Sequence, residues 1–189
     1  MVNKFSYLLI LHLKFIAFKL KKLKKLKSIW KIEKKLKING SVDELWDIIS
    51  KPKNLELIHP FCKSNIIVKW EDDNHEDILI YHNGLTFIRK FLNWEEKKGY
   101  SLLIGEENKE QSYVIWEITE EKSSIYLSIK VFPYFLRGTS KVISFFPYKF
   151  FVSPMLESYL RSVIQGINFF LNTGKPVPKN YFGKHKWFS

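Results

Sequence analysis

From Ile29 onward apolar and polar residues alternate. Trp30, Ile32, Leu36 and Ile38 fall on one side and Lys31, Glu33, Lys35 and Lys37 on the other, with Lys34 the exception on the apolar side. A period of two predicts a strand, which Asn39-Gly40 ends. Ser41-Val42-Asp43-Glu44 has the spacing of a capping box, in which the Ser41 hydroxyl takes a free backbone N–H and Glu44 reaches back. The helix it opens carries Val42, Leu45, Trp46 and Ile49 on its apolar side, and Ser50-Lys51-Pro52 breaks it. Pro52 starts a second short helix through Leu55 and Ile58. His59-Pro60 closes that one, because a residue ahead of proline disfavours the helical region.

Strands are then predicted at 65–70, 77–82, 85–94, 100–105, 112–119 and 124–132, with an acidic loop at 71–76 and a tight hairpin at Asn83-Gly84. Ile66, Val68 and Trp70 share one face of their strand. So do Val114, Trp116 and Ile118, and again Ile125, Leu127, Ile129 and Val131. One apolar face on each successive strand predicts an antiparallel sheet covered on one side. The cover is the helix that Ser153-Pro154 starts and Gly174 with Pro176 ends. Leu156, Tyr159, Leu160, Val163, Ile164, Ile167, Phe170 and Leu171 form its apolar stripe, while Glu157, Arg161, Gln165 and Asn168 take the wet side. At about 1.5 Å per residue such a helix crosses a whole sheet.

Charge separates the chain into unequal parts. Of its net +12, residues 1–37 hold twelve lysines against Glu33 alone, and residues 38–189 are close to neutral. A nucleic-acid-binding domain carries its charge on the folded face, so this distribution argues against one. The chain divides into a basic apolar arm (1–28), one α+β domain (29–174) and a tail (175–189). In the arm, residues 5–20 are apolar but interrupted by Lys14 and Lys19, which leaves too short a run for a spanning helix. No signal-peptidase pattern is present. As a helix the arm would place Leu13, Ile16, Ala17 and Leu20 on one face with Lys14, Lys19 and Lys21 flanking it. That pattern suits an anionic membrane surface contacted through residues 5–27. The alternative is an arm without a role. Cys62 is the single cysteine, which excludes an intrachain disulfide and makes a reducing, cytoplasmic setting the simpler expectation, with membrane-surface association open.

One strand, two short helices, six antiparallel strands and a long C-terminal helix is an order that resembles the helix-grip fold of the START and birch-pollen-allergen-like superfamily, also called SRPBCC or the polyketide cyclase/lipid-transport group. The segment Ser41-Val42-Asp43-Glu44-Leu45-Trp46-Asp47-Ile48-Ile49, followed by Asn54-Leu55-Glu56, is similar to that group's opening strand-and-helix text. Residues 174–185, Gly-Lys-Pro-Val-Pro-Lys-Asn-Tyr-Phe-Gly-Lys-His, resemble the tail of a bacterial subgroup. The resemblance covers roughly residues 29–174. It implies a cavity between sheet and helix for an apolar small molecule or lipid, with enzymes in a minority of branches and no cofactor. The arm and the 132–152 segment fall outside the pattern.

The expected cavity walls are Val68, Ile88, Leu102, Trp116, Ile118, Leu127 and Ile129 on the sheet and Tyr159, Val163 and Ile167 on the helix. A solidly packed core is the alternative. In the 85–94 strand, Lys90 shares a face with Ile88 and Leu92, and Arg89 shares the other with Phe87 and Phe91. Whichever basic group points inward needs a carboxylate partner or an acidic ligand group. An enzyme such as a cyclase or dehydratase would need an acid/base pair in the cavity, for which Arg89, Glu117, Tyr113 and His82 are the candidates. A membrane-tethered scaffold without a ligand is a further alternative. The histidines show no metal-ligand spacing. Cys62 beside His59 suits a buried inert thiol better than a nucleophile. Finally, eight aromatic residues lie within 132–151, interrupted by Pro133 and Pro147. They form either a lid or mouth, in reach of a membrane, or an extension folded back to enlarge the core.

Overall fold

The computed structural model describes residues 25–27, 30–71 and 74–189. The membrane-facing helix expected at 5–27 lies almost entirely outside these residues. Seven strands, β1 (Ile32–Ile38), β2 (Cys62–Glu71), β3 (Asn74–Tyr81), β4 (Thr86–Glu95), β5 (Gly99–Gly105), β6 (Ser112–Glu121) and β7 (Ser124–Phe132), form one antiparallel, unclosed and curved sheet in the order β1-β7-β6-β5-β4-β3-β2. Helices α1 (Val42–Ile49) and α2 (Leu55–Ile58) connect β1 to β2. Helix α3 (Lys141–Pro147) and the long α4 (Ser153–Thr173) follow β7.

The capping box forms as the sequence predicts: Glu44 N donates to Ser41 Oγ at 3.1 Å and Ser41 N donates to Glu44 Oε2 at 2.7 Å. The acidic loop at 71–76 is a correction. Strand β2 runs to Glu71 and β3 begins at Asn74, because Trp70 and His75 pair as strand partners and pack at 4.9 Å between ring centroids. Helix α4 lies over the concave face. Asn168, placed on the wet side by its pattern, ties α4 to β1 instead: its Nδ2 donates to Lys37 O at 2.9 Å, and Asn39 N donates to its Oδ1 at 3.0 Å.

At the other contact, α4 crosses α2 so closely that a Cβ on Gly166 would sit 2.0 Å from Ile58 O. Only glycine fits there. Gly174, at φ 65°, ends the helix in the left-handed cap that favours glycine.

The long helix starts at Ser153 with Pro154 in its first turn, as the sequence predicts, but the chain ahead of it is already helical. Pro147, Val152 and Ser153 all have right-handed helical dihedrals. Residues Tyr148–Val152 form a π-turn that joins α3 to α4, so the helical rod is 33 residues long. Pro154 removes one backbone donor, and the wide turn just ahead of it accommodates that loss. Pro154 sits in the first turn of the α-helix, as the sequence predicts, directly after the wider turn.

Candidate functional site

A cavity of about 320 Å³ lies between the concave face of the sheet and α4. Its position follows from where the aromatic residues go. In β2 the register shifts between Ile67 and Lys69, and in β4 between Phe91 and Asn93. Each bulge returns an aromatic ring to the inner face, Trp70 opposite His75 and Trp94 opposite Tyr100. With Phe91 these rings pack edge-to-face and stacked, and Trp46 of α1 closes on Trp94 at 5.4 Å. That end is solid. Trp116 stacks on Tyr100 at 5.4 Å on one side and borders the cavity on the other.

The tail walls off part of the remaining space. Val177 N donates to Leu57 O and Asn180 N to Pro60 O, each at 2.9 Å, and Asn83 Nδ2 donates to Trp187 O at 2.9 Å. Phe188 then stacks on Tyr81 at 4.6 Å and on His185 at 5.0 Å. The open side is bordered by Glu106, Lys109 and Glu110 of the β5–β6 turn and by Pro133, Tyr134 and the half-exposed Phe135.

The buried end is polar. Arg89 and Asp77, directly opposite on β4 and β3, form a bidentate pair: Nε donates to Oδ1 at 2.7 Å and Nη2 to Oδ2 at 2.5 Å. Burial works against the Arg89 charge, but Asp77 more than offsets it and holds the guanidinium above its ordinary range. The sequence leaves open which basic residue of this strand turns inward and whether a carboxylate or an acidic ligand group matches it; Arg89 turns inward and Asp77 matches it, while Lys90 faces out beside Glu76.

Beside the pair, His59 Nδ1 accepts from Phe61 N at 3.2 Å, which fixes the proton on Nε2. Nε2 in turn donates to Tyr159 Oη at 2.8 Å. Burial first, and Arg89 second, depress His59 to about 3, so the ring is neutral. Tyr159 Oη lies 3.0 Å from Tyr81 Oη, and burial raises both phenols. Two phenolic protons are available and only one lies between the two oxygens. One O–H therefore has no protein acceptor among the described residues, and both phenols border the cavity.

Neither a known family profile nor any curated protein matches the sequence. Solved structures repeat the architecture. A START superfamily protein from Mycobacterium smegmatis is 11% identical with a TM-score of 0.58, over 77% of this chain and 99% of that one. TTHA0849 from Thermus thermophilus is 9% identical with a TM-score of 0.61, over 77% and 99%. DynU16, of the dynemicin biosynthetic locus, is 14% identical with a TM-score of 0.58, over 77% of this chain; here the chain spans about half, 48%, of the neighbour's length. The chain has the helix-grip fold. At these identities the likeness carries the fold.

Within this helix-grip frame the ten expected wall residues separate. Leu102, Trp116, Ile129, Tyr159 and Val163 line the cavity. Val68 does not: it lies with Ile66 on the outer face, 45% and 46% exposed, and the bulge that follows Ile67 brings only Trp70 inward. Ile88 is buried on the face of β4 opposite Phe87 and Arg89, which are the strand's cavity residues. Ile118, Leu127 and Ile167 belong to the packed core and lie off the cavity. His59, Tyr81, Leu79 and Phe188 line it without having been expected. Helix and strand periodicity assigns no inward role to a pre-proline histidine or to a tail residue.

The four acid/base candidates also separate. Arg89 borders the cavity, with its charge matched by Asp77. Glu117 pairs with Lys130 at 2.5 Å, Tyr113 stacks on Phe132 at 5.8 Å, and neither they nor His82 border the cavity. Burial, with Glu56 next, pushes the Cys62 thiol up to about 12, and both nitrogens of His59 are committed elsewhere, so Cys62 and His59 form no nucleophile pair. Among the described residues no three His, Cys, Asp or Glu side chains converge on a metal position, and no helix is long and apolar enough to cross a membrane.

Proposed function

We propose that the protein binds, for storage or transfer, an apolar small molecule or lipid that carries a neutral hydrogen-bond acceptor such as a carbonyl oxygen. The supporting observation is the cavity itself. Its walls are mostly apolar, and at its buried end a phenolic O–H of the Tyr81–Tyr159 pair has no protein acceptor among the described residues. An acceptor there completes the network, while a bare hydrocarbon leaves a buried donor unmatched, which costs about 1–3 kcal/mol. A free carboxylate is disfavoured, because Arg89 is already neutralised by Asp77.

The test is a pair of naphthyl probes on the purified full chain, one with a ketone and one without. The ketone should bind about tenfold more tightly, the ratio that one net hydrogen bond supplies. Replacing both Tyr81 and Tyr159 by Phe should shrink that preference. Equal binding of the two probes to the wild type would remove the acceptor from the proposal, and binding of neither would remove the ligand.

A further inference from the structure

We infer that the outer face of the α3–π-turn rod is a docking surface for an anionic lipid bilayer. Six apolar side chains on this rod are exposed: Val142 is 82% exposed, Ile143 78%, Phe145 40%, Phe146 66%, Phe150 59% and Phe151 69%. Phe146 and Phe150, four residues apart, stack at 6.0 Å. The opposite face is the one that docks on the domain. Ser144 and Val152 are buried, Ser144 Oγ accepts from Trp30 Nε1 at 2.7 Å, Tyr148 stacks on Trp30 at 4.2 Å, and Tyr148 Oη donates to Lys31 O at 2.7 Å. The rod is thus anchored along one side and bare along the other, and folding back onto the core does not account for the bare side.

An exposed apolar patch of this size marks a contact surface, and the surrounding charge selects the partner. Residues 132–152 contain Arg137, Lys141 and Lys149 and no acidic residue. Lys149 Nζ lies 5.5 Å from the Phe145 ring centre and 6.0 Å from that of Phe150, so cation and rings share one surface. Trp30, on which the rod is anchored, follows closely on the segment 1–27, which holds eight lysines and no acid. Aromatic rings flanked by lysines are the composition of a helix lying in a bilayer interface: the rings enter the acyl boundary and the lysines meet anionic headgroups. The surface also adjoins the cavity in sequence, since Phe135 borders the cavity's open side and lies in the connection that leads into α3. Docking does not depend on the cavity's contents, so an empty cavity leaves this inference standing.

The test is co-sedimentation of the full chain with vesicles of phosphatidylcholine, with and without about 30 mol% phosphatidylserine. The wild type should bind the acidic vesicles at least about tenfold more tightly than the neutral ones. The triple variant Phe146→Ser, Phe150→Ser, Phe151→Ser should lose about tenfold or more of that binding. Because the three rings are exposed, its melting temperature should match the wild type; the single variant Phe150→Ser, with a several-fold loss, serves as a second reading. Equal vesicle binding by wild type and triple variant would assign all of the binding to the basic segment and overturn the inference. So would absence of vesicle binding by the wild type, or a wild-type dimer that the triple variant converts to monomer without any lipid effect.

Discussion

Two aromatic-rich regions of this chain have similar compositions and opposite fates. On the concave side of the sheet, Trp70, His75, Phe91, Trp94 and Tyr100 pack into a solid block, and Tyr81, Tyr159 and Phe188 border a cavity. On the α3 rod, Phe146, Phe150 and Phe151 stand in solvent. The difference lies in what each backbone faces. The strands curve around α4, so their inner rings are buried or partly buried, whereas the rod packs on the domain along one side only. Ring count in a segment therefore says little about burial; the position of the segment relative to the concave face says more.

The contrast makes substitutions inside costly and substitutions on the rod nearly free. The largest effect is expected at the buried ion pair. Asp77→Ala leaves Arg89 charged and unmatched, and should cost about 3–5 kcal/mol in denaturant unfolding. The double replacement Asp77→Leu with Arg89→Met should recover most of that loss, and failure to recover it would show that the pair does more than balance charge.

Next in size is Gly166→Ala. Its new methyl meets the Ile58 carbonyl at 2.0 Å, so α2 and α4 must separate at a cost of about 1–3 kcal/mol. His59 sets a pH dependence. Folding depresses its pKa from 6.5 to about 3, so the unfolded chain takes up a proton that the folded chain refuses. The contribution of His59 is complete above about pH 6.5 and falls as pH drops toward 3, by about 1.4 kcal/mol at pH 5.5. Urea titrations at pH 7.5 and 5.5 should show that loss in the wild type and a smaller one in His59→Gln. Smallest is Phe150→Ser, within about 0.5 kcal/mol of wild type, because the ring it removes is already in water. A large loss there would mean that the rod's outer face is covered in solution.

The helix-grip fold was legible because strand alternation, the capping box at Ser41 and the apolar stripe from Leu156 to Leu171 each specify an element by local pattern. The cavity was half legible. Leu102, Trp116 and Ile129 follow from undisturbed alternation and Tyr159 and Val163 from the helical stripe, whereas Val68 shares its apparent face with Trp70 only because a bulge between them turns Trp70 inward; Val68 itself stays outside with Ile66. Nothing in the spacing announces such a shift. His59, Tyr81 and Phe188 come together from a short helix's end, a strand's end and the tail, and local periodicity cannot bring distant segments into one place. Ser153-Pro154 marks the start of the α-helix correctly, but the cap-then-proline rule says nothing of the π-turn that joins this helix to the one ahead of it.

A binding site beneath α4, unlike a packing defect, takes up one apolar molecule of matching size. Titration of the neutral apolar probe N-phenyl-1-naphthylamine into three proteins tests it most directly. Wild type and the Phe146, Phe150, Phe151 triple variant should bind one equivalent alike, and Val163→Trp, which fills the cavity, should bind at least about tenfold more weakly. Unchanged binding by Val163→Trp together with loss in the triple variant would place the probe on the rod's surface and contradict a ligand cavity.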